Sequence, residues 1–87
     1  MTTTGELFKE CVSKVPDELK LELSWSNAIA IKIASQLSEQ GMTQKMFAKK
    51  MGKTEAEVSR WLSGTHNFTL RTISKISSVL NTDMIHV

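Results

Sequence analysis

Thr43–Gly64 reads TQKMFAKKMGKTEAEVSRWLSG, and the way this stretch folds decides the rest of the chain. It holds two short helix-forming runs, QKMFAKKM and EAEVSRWLS, each preceded by a threonine and followed by a glycine. A threonine hydroxyl can accept a free N–H at the start of a helix, and glycine takes the left-handed backbone that ends one. The order predicts one helix opened by Thr43 and stopped by Gly52, then a second opened by Thr54 and stopped by Gly64. Only Lys53 separates Gly52 from the second cap.

The side chains at fixed offsets fit two helices that cross closely. Counting from Gln44, the fifth residue is Ala48, the ninth Gly52 and the fifteenth Val58. Ala48 is small where the second helix crosses the first. Gly52 can take the turn conformation. Val58 packs back on the first helix, and Phe47, Met51 and Trp61 fill the apolar positions between. Lys53 stands where an apolar side chain is common. Two helices joined by a short glycine turn form the unit that reads DNA.

Outward from this unit, apolar residues recur at helical spacing and strand signals are almost absent. GELFKECVSK with Val15 puts Leu7, Phe8, Cys11 and Val15 on one stripe. Pro16 interrupts it, and Asp17 opens a second short helix, DELKLEL. SNAIAIKIASQLSEQG, with Ala28, Ile29, Ile31, Ile33, Ala34 and Leu37, reads as the central core helix, stopped at Gly41. Thr69 opens LRTISKISSVLN, with Leu70, Ile73, Ile76, Val79 and Leu80 at helical spacing. The tail, with Met84, Ile85 and Val87, reads as a strand or a frayed end. The expected fold is all-α, with five or six short helices. The expected division is a helical extension over 1–23, the helix-turn-helix domain over 24–83 and an apolar tail over 84–87.

An 87-residue chain, 40% hydrophobic and 23% charged, suits one small globular domain. Its net charge of +2 is unevenly spread. Residues 1–41 carry four lysines against six acids. Residues 42–71 carry Lys45, Lys49, Lys50, Lys53, Arg60 and Arg71 against only Glu55 and Glu57. A basic middle segment suits a nucleic-acid face, although a solvated lysine surface would look the same. The single cysteine, Cys11, permits no internal disulfide and suits a cytoplasmic protein. His66 and His86 are the only histidines, too few and too scattered to hold a metal. No cofactor is expected. No signal peptide and no membrane-length apolar run is legible. No Ser–His–Asp arrangement, phosphate-cradling glycine loop or carboxylate pair is legible either, so an enzyme is not expected. Trp25, Met42, Met46 and Met51 read as core fillers.

The stretch MTQKMFAKKMGKTEAEVSRWLSGTHNFTLRTISKISSVLN resembles the Cro and lambda-repressor type (Xre-like) of bacterial helix-turn-helix domain. The resemblance runs from about Ile29 to Asn81. WLSGTHNFTL, Trp61–Leu70, resembles a subgroup of antitoxin-type (HigA-like) and standalone bacterial regulators. It implies a lambda repressor-like fold whose second motif helix lies in the major groove. It further implies that Gln44 meets a phosphate, with Lys45 beside it near the backbone, and that Thr54 opens the reading helix close to a phosphate. Glu55, Ala56, Ser59 and Arg60 would face base edges. Ser63, His66 and Asn67 would reach the backbone from the following loop. Expected partners are double-stranded DNA, a second copy of the chain and, on the antitoxin reading, a toxin protein held by acidic residues 1–23. A helical interaction module without DNA binding is the alternative from another class.

Each of these residues also has a structural reading. Arg60 can bind guanine O6 and N7 together, or pair along its helix with Glu57 for about 0.2–0.5 kcal/mol. Thr54-Glu55-Ala56-Glu57 reads as a capping box, which gives Glu57 a role in the helix rather than on DNA. Glu55 suits the positive end of the helix and could also accept from cytosine N4.

Overall fold

The structure is a computed structural model and describes residues 16–85. Among them are four helices and no strand: α1 (Asp17–Glu39), α2 (Gln44–Met51), α3 (Glu55–Leu62) and α4 (Leu70–Leu80). The expected first helix, with Leu7, Phe8, Cys11 and Val15, lies outside the described residues.

The two segments that the sequence divides at Ser24–Ser26 form one helix. α1 starts after Pro16, whose carbonyl accepts the Leu19 and Lys20 N–H groups at 3.0 and 3.1 Å. Nothing from Asp17 to Glu39 breaks it. The serines cost at most about 0.7 kcal/mol each relative to alanine. Tertiary packing offsets that at Ser26, which is buried. Among the described residues there are therefore one 23-residue helix and three short ones, with the two segments expected over 17–23 and from Ser26 onward merged into one element.

α1 buries Ser26, Ile29, Ala30, Ile33 and Leu37, the residues of one helical face. Against it pack Phe47, Ala48 and Met51 of α2, Val58 and Trp61 of α3, and Ile73, Ile76 and Leu80 of α4. Phe47, Ile33, Met51, Ile76 and Val58 are fully enclosed. Ala28, Ile31 and Ala34, expected in this core, are exposed. Ile31 lies two residues from Ile29 and from Ile33, so it points about 200° away from each on a helix. Trp25 and Met46 are also exposed rather than core-filling, whereas Met51 is enclosed and Met42 packs at the edge. Leu70 shares a stripe with Ile73 but is 77% exposed. As the first residue of α4 its side chain leans back over the preceding turn, beyond the end of the core.

The tail is neither strand nor frayed end up to Ile85. α4 ends at Asn81, which takes the left-handed conformation (φ 52°). The Gln40 side-chain amide donates to the Leu80 carbonyl at 2.8 Å, and the Thr82 hydroxyl donates to Gln36 Oε1 at 3.1 Å. The Met84 N–H donates to Ser77 Oγ at 3.1 Å, which drops the Met84 side chain into the core. No helix among the described residues is long and apolar enough to cross a membrane.

Candidate nucleic-acid interface

The unit α2–turn–α3 is fixed by hydrogen bonds that the sequence dictates locally. Thr43 accepts the Met46 N–H at 3.1 Å and opens α2. Gly52 closes it in the left-handed conformation (φ 69°, ψ 32°). The Gly52 and Lys53 N–H groups return to the Lys49 and Ala48 carbonyls at 3.2 and 2.9 Å. Across the turn, the Thr54 hydroxyl accepts the Glu57 N–H at 3.1 Å, while Glu57 Oε2 accepts the Thr54 N–H at 2.8 Å. Both arms of the capping box are present. The backbone bond from Thr54 is the main reason that the Glu57 carboxyl stays below its ordinary value, with Lys53 and Arg60 adding attraction.

The second helix is seated by its inner face. Val58 and Ala48 are both buried in the one core cluster, and the Phe47 and Trp61 rings meet edge to face at 6.3 Å between centroids. That leaves Glu55, Ala56, Ser59 and Arg60 exposed on the outer face of α3. Gln44 and Lys45 are exposed in the first turn of α2, and Thr54 is exposed at the cap of α3. Arg60 makes no ion pair among the described residues, where Lys20–Asp17 at 3.9 Å is the one pair present. The carboxylate that could have held it, Glu57, is turned back to Thr54.

The loop residues behave differently from one another. The Ser63 hydroxyl donates to the Arg60 carbonyl at 2.6 Å and lies 3.2 Å from the Thr65 hydroxyl. A serine has one O–H to give, so a phosphate contact would require it to turn. His66 is half-buried, with its ring edge-on to Phe68 at 4.8 Å and tilted against Trp61 at 6.2 Å. Asn67 is exposed. The loop is aimed by a contact that sequence reading misses. Gly64 is buried with φ +88°, and a Cβ there would lie 2.8 Å from Asn27 Oδ1 of α1. Thirty-seven residues separate the two, so no local pattern signals the contact. Lys49, Lys50 and Lys53 are also exposed around the turn. Their signal was present as charge, but it did not single them out.

Two short helices with a glycine turn, the second seated by its inner face and open on its outer face, define a helix-turn-helix. The model of a helix-turn-helix family matches residues 31–86, more than half of the chain. The chain belongs to this family, the Cro and lambda-repressor (Xre-like) type of DNA-binding regulator. No match was found among curated proteins or solved structures.

Proposed function

We propose that the chain is a sequence-specific transcriptional repressor that reads the major groove with α3. The observation that carries this reading is the free outer face of that helix. Glu55, Ala56, Ser59 and Arg60 are all exposed and are not held by ion pairs within the described residues. Arg60 would read guanine, since a guanidinium matches O6 and N7 together. Gln44, Lys45 and Thr54 would hold the backbone on one side of α3. Asn67 would do so on the other, with Ser63 and His66 once their internal contacts allow. On this reading the domain over 24–83 does the work and residues 1–23, including the first turns of α1, form an extension beside it. The chain would act as a homodimer, because two half-sites must be read one helical turn apart.

The test is selection of bound sequences from random double-stranded DNA, followed by a salt titration on the selected site. The expected outcome is a two-fold symmetric motif, with log affinity falling linearly against log salt as counterions are released. No enriched motif together with a flat salt response would overturn the reading. That result would favour a helical interaction module. The antitoxin reading adds a toxin protein to the same DNA site, and it predicts that a stable complex with that protein shifts the affinity for the selected motif.

A further inference from the structure

A groove of about 510 Å³ lies on the domain between α1, the loop after α3, the start of α4 and the tail. Its walls include Trp25, Ile29, Phe68, Ile73 and Met84, and Glu22 is the one charged residue lining it. The two most exposed large apolar side chains of the described residues stand on its rim, Leu70 at 77% and Trp25 at 63%, and Ile85, 40% exposed, joins them. Leu21, 52% exposed, sits one turn before Trp25 on the same side of α1.

We propose that this groove is the surface on which a second copy of the chain docks, with Trp25 and Leu70 of each copy entering the groove of the other. Three observations favour that occupant. First, a two-fold contact presses the same patch against itself, so it needs projections and a hollow side by side. Trp25 and Leu70 project at the rim of the hollow, which has room for either side chain. Second, scaling each exposed side chain by its size, Leu21, Trp25, Leu70 and Ile85 offer roughly 400 Å² of apolar surface. One side of a standard interface buries about 800 Å², a little over half of it apolar, so the patch is about the right size for one. Third, the groove begins where the loop of the DNA-facing unit ends, since Asn67 lines it. Two copies joined there would place the loops that follow their α3 helices next to the seam. This last point rests on the proposed DNA reading; the first two do not. Met84 belongs to its own copy's core, and only Ile85 of the described tail faces outward.

The test is sedimentation equilibrium of the full chain without DNA, for the parent and for Trp25→Gln, Leu70→Gln and the double variant. Both residues are exposed, so the variants should keep the parent's helix content, and at concentrations where the parent is also monomeric they should melt as it does. The parent should be a dimer at micromolar concentration, and the double variant should need at least tenfold more protein to associate. A parent that stays monomeric, or variants that associate as the parent does, would overturn the proposal. In a Trp61→Phe chain, the emission of the remaining Trp25 should shift to the blue as concentration rises. A blue emission at every concentration would overturn it in favour of residues 1–15 as the occupant. A red emission at every concentration would overturn it in favour of a face kept for another protein. A chain that dimerises as described but enriches no DNA motif refutes the DNA reading alone. A monomer that binds the selected DNA refutes the docking surface alone.

Discussion

Thr54→Ala should destabilise the domain by about 1 kcal/mol, within the roughly 0.5–2 kcal/mol that loss of an N-cap side chain costs. The structure shows why the loss is specific. The substitution removes the hydroxyl that accepts the Glu57 N–H at 3.1 Å and leaves the opposite arm, Thr54 N–H to Glu57 Oε2 at 2.8 Å, in place. For a domain of this size, 1 kcal/mol lowers the melting temperature by about 4–8 °C, readable by circular dichroism. Thr54→Ser keeps the oxygen and should melt close to the parent. The other arm is tested by pH. The Glu57 carboxyl lies below its ordinary value of 4.5 because, first of all, it accepts the Thr54 backbone N–H. A carboxyl lowered on folding contributes stability above its unfolded value and loses it as pH falls through the folded one. The melting-temperature gap between the parent and Glu57→Gln should therefore be full at neutral pH and close in acid, below the folded value. A gap of the same size at neutral and acid pH, or a Thr54→Ala chain that melts like the parent, would refute the capping-box account.

Three further outcomes follow from the same geometry. Arg60→Ala should cost roughly 1–3 kcal/mol at one base pair and relax the preference there, whereas Lys45→Ala should weaken all sequences alike and reduce the salt slope by about 1; binding of both variants to the selected and to random DNA separates the two roles. Glu55→Gln should raise binding to random DNA and narrow the gap to the selected site with folding unchanged, because an outward carboxylate repels phosphate everywhere but can accept from cytosine N4 at the right site; a competition assay against random DNA reads this directly. Gly64→Ala should destabilise by about 1–3 kcal/mol through its left-handed backbone alone, and Asn27→Ala in the same chain should recover only the part due to the 2.8 Å contact, as thermal melts of the single and double variants would show.

The features legible in the sequence are those set by neighbours three to five residues away. Thr43, Thr54 and Thr69 each accept the N–H three residues on, and Gly52 closes a turn within its own helix. Those interactions need no knowledge of the rest of the fold, so the ends of α2, α3 and α4 could be read directly. The outer face of α3 is legible by subtraction, since Val58 and Trp61 point inward. What the sequence could not give is decided by distant residues. Apolar character alone does not separate Ile29, which is buried, from Ile31, which is not; the packing of three other helices does. Nor does any pattern tell that the Met84 N–H will find Ser77, or that Asn27 will close on Gly64. The same limit hid the groove, since its rim draws on Trp25, Leu70 and Ile85.

The capping box also bears on how a helix that opens with two glutamates can face a polyanion. A helix N-terminus ordinarily offers its free N–H groups and positive end to anions such as phosphate. In α3 the Glu57 N–H is taken by the Thr54 hydroxyl, and the Glu57 carboxylate sits on the Thr54 N–H. The helix end is thus partly neutralised by its own residues. On the proposed reading, attraction to the DNA backbone then falls to the exposed lysines of α2 and the turn, Lys45, Lys49, Lys50 and Lys53, which act on any sequence. α3 is left to discriminate between bases, with Arg60 drawing the chain to guanine and Glu55 opposing every approach that offers it no donor. Affinity and specificity would thereby reside on different helices of one motif, and that is why Lys45→Ala and Arg60→Ala should fail in different ways.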